Sequence, residues 1–233
     1  MNVVPRALRA AAILVEPLTI AEKALKQIWD VQQRLPWACP IEPGKLRGHC
    51  HKAVVLGAGP VGLLGSMALA AADFDVYVYS RVAAPNAKAR IVEAIGGHYV
   101  SAETDSIAQL AERVGNIDVV YEATGASSVS FEVMKVIGIN GIFVFTGVPG
   151  RKAPIEIDTD LIMRNLVLKN QVVFGTVNAG RETFEAAIQD LAVFMQRWPA
   201  EVQSLITGYN PVEAYRDLLL GAPRGIKEVI NFA

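Results

Sequence analysis

The stretch Val54-Val55-Leu56-Gly57-Ala58-Gly59-Pro60-Val61-Gly62-Leu63-Leu64 constrains this chain more than any other. An aliphatic run ends on glycines spaced G-x-G-x-x-G, and an apolar helical pattern opens on the last of them. Glycines alone would be a weak signal; their position between a buried strand and a helix is what carries weight. Gly57 permits the tight turn, Gly59 lets a pyrophosphate approach the backbone, and Gly62 lets helix and strand pack closely. Free N–H groups and the dipole at the helix N-terminus then hold phosphates. Pro60 and Val61 form the first helical turn, where an N–H has no intrahelical partner and proline's lack of one costs nothing.

The rest of the chain repeats the same alternation. Aliphatic runs at 52–56, 75–79, 117–121, 142–145 and 172–175 read as strands, and helical spacing covers 60–72, 87–95, 107–114, 129–136 and 183–197. Strict alternation predicts a Rossmann-type doubly wound parallel sheet, class α/β, with helices on both faces. Composition agrees: 52% of the 233 residues are apolar and only 7% aromatic, which suits buried strands of Val, Ile and Leu. A helix is predicted over 18–35, with Thr19 and Glu22 as a capping pair and Pro36 as its stop. Residues 36–51 read as a connector. The tail forms a separate strand–helix–strand group over 206–209, 211–220 and 228–232. The expected division is 1–51, 52–203 and 204–233.

Charge and hydropathy remove several function classes. With 22 basic and 23 acidic residues and a net charge of −1, no basic surplus points to nucleic acid or an anionic membrane. No apolar run reaches the ~18 residues of a membrane span. Residues 1–6 lack a signal-peptide pattern, so a cytoplasmic location is expected. Cys39 and Cys50, with His49 and His51 beside the second, lack the ligand spacing of structural zinc. A disulfide and a pair of reduced loop thiols both remain open.

Cofactor preference is readable at the end of the second strand. Sites for NAD usually place Asp or Glu there for the ribose 2′-hydroxyl. This chain has Ser80 and Arg81, a hydroxyl and a guanidinium that suit a 2′-phosphate; the alternative is a solvated surface charge. Lys88 and Arg90 add positive potential or simply face solvent. Thr124 and Gly125 end the next strand, and Thr146, Gly147 and Val148 the one after, where nicotinamide would lie. Glu122 reads either as part of that strand edge or as a surface turn residue, and no catalytic role is assigned to it.

Val15-Glu16-Pro17-Leu18, the Gly57–Gly62 turn, Ala123-Thr124-Gly125, 146–150 and Asn170–Asn178 recur in the order of a known family. The chain resembles the C-terminal, nucleotide-binding portion of zinc-dependent glucose 1-dehydrogenases of the medium-chain dehydrogenase/reductase superfamily. The resemblance implies that Glu16 helps hold the catalytic zinc and that Ser80 and Arg81 receive the 2′-phosphate. It also implies that Thr124, Gly147 and Asn178 line the cofactor cleft. Many relatives have a second arginine where this chain has Val82, so NADP(H) is either preferred or shared with NAD(H). Relatives begin with a GroES-like domain supplying cysteine and histidine to zinc; this chain begins at what looks like that domain's last strand. Zinc is therefore expected only if that domain is supplied. A sugar substrate is expected only in the complete enzyme, where hydride passes from aldose C1 to nicotinamide. The chain alone is expected to be inactive, with a stand-alone NADP(H)-binding regulatory or structural module as the alternative. Apolar surface on residues 1–18 and on the last strand is expected to invite oligomerisation or aggregation, and the resemblance, to a family whose members often pair through this domain, implies a homo-oligomer.

Overall fold

The computed structural model of the chain describes residues 2–35, 42–150, 154–222 and 224–232. Its centre is a parallel sheet of six strands: β1 (Lys52–Leu56), β2 (Asp75–Ser80), β3 (His98–Ser101), β4 (Val119–Glu122), β5 (Ile142–Phe145) and β6 (Val172–Gly175). They lie in the order β3-β2-β1-β4-β5-β6. The chain builds outward from β1 through β3 on one side, then crosses back to start β4 on the other. Leu56 is in register with Tyr79 and with Glu122, and Glu122 in turn with Phe145. The carboxyl ends of these strands therefore share one edge, with the topological switch point between β1 and β4.

Alternation along each strand divides the apolar side chains into two cores. Ala53, Val55, Val78, Tyr121 and Val144 share a core with α1 (Val15–Gln32), α2 (Pro60–Ala71), α3 (Ala87–Ala94) and α7 (Arg181–Arg197). Val54, Leu56, Tyr79, Val120 and Phe143 face α4 (Ile107–Val114), α5 (Ser127–Met134) and α6 (Thr159–Leu168). Helix α2 carries apolar residues all round and is buried from Gly62 to Leu69, as a helix between the sheet and two others must be. Gly65 is required there, because a Cβ would lie 2.8 Å from Cδ1 of Tyr121.

Several expectations are corrected. The N-terminal segment is not a strand but a 3₁₀ helix, Arg6–Leu14. Its Ala, Leu and Arg residues favour helix, and Leu8, Ala11 and Leu14, all buried, recur at the three-residue period that aligns one 3₁₀ face. Those residues are thus covered; within 2–18 only Val3 and Ile13 are exposed large apolar side chains. Helix α1 begins at Val15, earlier than expected, so Thr19 and Glu22 lie inside it and cap nothing. The Thr19 hydroxyl instead donates to the Glu16 carbonyl at 2.6 Å. Three elements went unpredicted: β3, α6 and the short α8 (Pro199–Ser204). Pro36 and Cys39 lie outside the described residues.

The tail does not join the main sheet. Strands β7 (Ile206–Pro211) and β8 (Lys227–Asn231) pair in parallel with each other, linked through α9 (Tyr215–Leu220). Helix α9 buries no side chain, and Leu219, Leu220 and Phe232 are 75%, 83% and 84% exposed. The expected apolar surface is therefore concentrated on the tail.

Candidate functional site

The glycine turn takes the geometry its spacing predicts. Gly57 has φ +99°, and its N–H donates to the Tyr79 carbonyl at 2.8 Å. A Cβ on Gly57 would lie 2.6 Å from the Thr124 methyl, and a Cβ on Gly62 would run into the Gly57 carbonyl. Gly59 differs: it is extended, and a Cβ there would meet no protein atom within 4 Å. Protein packing therefore gives no reason for glycine at 59, while close approach of a ligand phosphate does. No side chain caps the N-terminus of α2, so its N–H groups and dipole face the same space. These features fit a dinucleotide pyrophosphate.

One strand over, Ser80 closes β2 and Arg81 opens an exposed loop. That loop is held from the unpredicted strand β3. The Ser101 hydroxyl donates to the Arg81 carbonyl at 3.1 Å and the Tyr99 hydroxyl to the Val82 carbonyl at 2.8 Å. Asn86 caps α3, accepting from Lys88 N–H at 2.9 Å and Ala89 N–H at 3.0 Å, while its amide donates to the Ala83 carbonyl at 3.0 Å. The backbone after β2 is thus fixed at the carboxyl edge of the sheet. Lys88 is half-buried and Arg90 exposed.

On the other side of the switch point, Glu122 belongs to the strand edge. It is no surface turn residue but 1% exposed at the end of β4. Its Oε1 accepts from Thr124 N–H at 2.6 Å, the Thr124 hydroxyl at 2.6 Å and Gly125 N–H at 2.8 Å; its Oε2 accepts from Gly147 N–H at 3.1 Å. Its backbone carbonyl takes the Thr146 hydroxyl at 2.6 Å. Gly125 has φ +63°, and a Cβ there would lie 2.7 Å from the Val148 carbonyl. Thr124, Gly125, Thr146, Gly147 and Val148 are therefore one cluster, beside Gly57. The signal available in sequence was a carboxylate closing an aliphatic strand before Ala-Thr-Gly.

Asn178 follows β6 on the same edge with φ +63° and is exposed. The preceding carbonyl, Val177, is held by Lys23 of α1 at 2.5 Å. Glu16 is apart from this group: it lies exposed in the first turn of α1, where a carboxylate favours the helix dipole. Among the described residues no three His, Cys, Asp or Glu side chains converge to hold a metal, so they do not fit zinc. His51 lies with Nδ1 3.7 Å from Asp118, and Cys50 is disulfide-bonded. Among the described residues no helix is long and apolar enough to cross a membrane.

Comparison with known proteins agrees with this geometry. Residues 9–232 match the family described as the glucose dehydrogenase C-terminus. The chain is 33% identical over 228 residues to glucose 1-dehydrogenase of Methanocella arvoryzae, covering 98% of this chain and 60% of that protein. It is 32% identical over 229 residues to the Thermoproteus tenax enzyme of the same name, covering 98% and 61%. The Haloferax mediterranei glucose dehydrogenase, solved in complex with NADP, Zn and gluconolactone, superposes with a TM-score of 0.83 at 27% identity, covering 99% of this chain and 61% of that one. The chain thus spans about 60% of the length of the relatives it matches.

Proposed function

Because this chain belongs to the glucose dehydrogenase C-terminus family, we propose that its strand edge binds NADP(H) as the cofactor-binding portion of a sugar 1-dehydrogenase. The observation that carries this is Gly59, open to a ligand above the uncapped α2 N-terminus, with Ser80-Arg81 closing the neighbouring strand. The Gly57–Gly62 turn, with Pro60 and Val61, would hold the pyrophosphate. Ser80 and Arg81 would grip the 2′-phosphate, since a guanidinium pairs with phosphate through two parallel hydrogen bonds. Thr124, Gly125, Thr146, Gly147, Val148 and Asn178 would line the nicotinamide end. When bound, nicotinamide supplies a hydride acceptor for aldose C1; the chain's residues orient it and exclude water.

We divide the chain into 1–51, a nucleotide-binding unit at 52–203, and a tail at 204–233 that would pack on a further domain. The exposed Leu219, Leu220 and Phe232 support that role for the tail. Met163, Val167 and Leu168 of α6, exposed by 63%, 73% and 70%, support a homo-oligomer, measurable by light scattering. Zinc needs three protein ligands and an open position, and Glu16 would contribute one carboxylate only alongside ligands from elsewhere. The chain alone is therefore expected not to reduce NADP⁺ with glucose, even with added zinc. Glucose-dependent reduction would refute that.

The decisive test is titration of the purified chain with NADPH and with NADH, followed by nicotinamide fluorescence. Saturable NADPH binding, tighter than NADH, is expected. Binding of neither would refute the reading.

A further inference from the structure

Glu122 is a buried carboxylate at the carboxyl end of β4, and no step in the binding scheme above uses it. The strands that end there, β4 and β5, leave the sheet in two separate turns, and both turns direct backbone N–H groups inward. Such groups need acceptors once water is excluded. One side chain supplies them for both turns: Oε1 serves Thr124 and Gly125 on the β4 side, Oε2 serves Gly147 on the β5 side. The Glu122 side chain thus ties the two turns together, alongside the Thr146 N–H and hydroxyl, which donate to the Glu122 backbone carbonyl. Close packing reinforces the arrangement. A Cβ on Gly147 would lie 2.8 Å from Glu122 Oε2, and one on Gly125 would lie 2.7 Å from the Val148 carbonyl. The turns cannot move apart without breaking bonds to Glu122.

We propose that Glu122 is a positioning residue for the nicotinamide end of the cofactor, spanning the 124–125 and 147–148 turns and so governing affinity for that half alone. The inference rests on the cofactor reading above. It adds that the two halves of the ligand are gripped independently. The adenosine end is built on β2, β3 and the 81–86 loop, where Tyr99, Ser101 and Asn86 provide the support. None of the Glu122 hydrogen bonds reaches that loop.

The test compares NADPH with 2′,5′-ADP, which carries the phosphorylated adenosine end and no nicotinamide, by calorimetric titration of the chain and of Glu122→Gln. An amide preserves shape but replaces one acceptor oxygen with a donor, so one of the two turns then faces donor against donor. Glu122→Gln should bind 2′,5′-ADP within about twofold of the unsubstituted chain and NADPH at least ~10-fold more weakly, where tenfold corresponds to ~1.4 kcal/mol. Glu122→Asp keeps the carboxylate but shortens its reach to the two turns; it should show the same split, smaller, and it serves if Glu122→Gln does not fold. Unchanged NADPH affinity in both variants would overturn the proposal. Equal weakening of both ligands by folded variants would also overturn it, since Glu122 would then support the fold generally. If the unsubstituted chain binds neither ligand, the cofactor reading itself falls; if it binds both and only the split is missing, that reading stands and this one does not.

Discussion

Replacing Glu22 by Gln should make the protein more stable at alkaline pH and remove a pH dependence that the unsubstituted chain carries. Glu22 lies on α1 where that helix packs against α7, is 8% exposed, and has a buried Oε1 with no hydrogen-bond partner. Burial pushes its carboxyl up to about 8 from an ordinary value of 4.5, and Asp190 of α7, an acidic neighbour, pushes the same way. Asp190 is itself raised by burial, its hydrogen bond with Glu22 acting in the opposite direction, so the two titrate as a pair. A carboxyl raised on folding means that, between pH 4.5 and 8, the folded chain holds a proton that the unfolded chain has released. Stability then falls as pH rises through that window. The contribution is complete below pH 4.5 and lost above 8. At ~1.4 kcal/mol per pH unit, the shift of about 3.5 units gives a ceiling of about 5 kcal/mol, and relaxation around the pair reduces the expected effect to about 2–3 kcal/mol. For a chain of this length that is roughly 5–10 °C in Tm between pH 5 and pH 8.5. The assay is urea unfolding of both proteins at pH 5, 7 and 8.5, because the difference between them cancels the titrating groups outside the Glu22–Asp190 pair. Glu22→Gln should match the unsubstituted chain at pH 5 and exceed it at pH 8.5. Parallel pH profiles, or a difference that shrinks as pH rises, would refute the reasoning.

Three further outcomes follow from the geometry. Arg81→Ala should weaken NADPH binding by about 10- to 100-fold, the usual loss for charged hydrogen bonds to phosphate, while NADH binding changes less than ~3-fold; equal losses would show that Arg81 does not read the 2′-phosphate. Gly65→Ala should lower Tm despite alanine's better helix propensity, because crowding the buried Tyr121 ring costs about 1–3 kcal/mol against a gain of at most ~1 kcal/mol. Asn86→Ala should lower the stability measured by urea unfolding by about 1–2 kcal/mol through loss of the α3 cap, and should weaken 2′,5′-ADP binding by releasing the 81–86 loop.

The parts of the fold that were legible in sequence are those where local pattern and burial coincide. Strand β1 is aliphatic at every position buried on either face, and the glycines after it are demanded by backbone contacts within the same unit. Strand β3 escaped because only Val100 and Ser101 of its residues are buried, leaving His98-Tyr99 to read as polar surface. Helix α6 escaped for a related reason: Ile162 is its one buried residue, so its apolar residues trace no stripe. The N-terminal segment misled in the other direction. Resemblance suggested a strand, whereas Leu8, Ala11 and Leu14 follow a period that neither β structure nor an α-helix has. Of the site, the phosphate turn and the β2 end were visible because their residues act where they stand in the chain. The role of β3 in holding the 81–86 loop was not, because Tyr99 and Ser101 act on a loop more than a dozen residues earlier.

Glu22 and Glu122 show why burial of a carboxylate cannot be interpreted without its neighbours. Both lie in segments rich in apolar residues, and both are almost fully removed from water. At the end of β4 the chain leaves the sheet, so unpaired N–H groups gather and Glu122 finds donors on both sides. Between α1 and α7 the backbone donors are already used within the helices, and what faces Glu22 is a second carboxylate. The desolvation cost is similar in kind, yet the first group is held as an acceptor and the second as an acid. Strand ends therefore suit carboxylates that fix loops at a ligand site, while helix seams suit carboxylates whose proton is part of the packing. Exchanging the surroundings in thought gives the same conclusion: donors placed around Glu22 would abolish the predicted pH dependence, and an acceptor beside Glu122 would release the turns it holds.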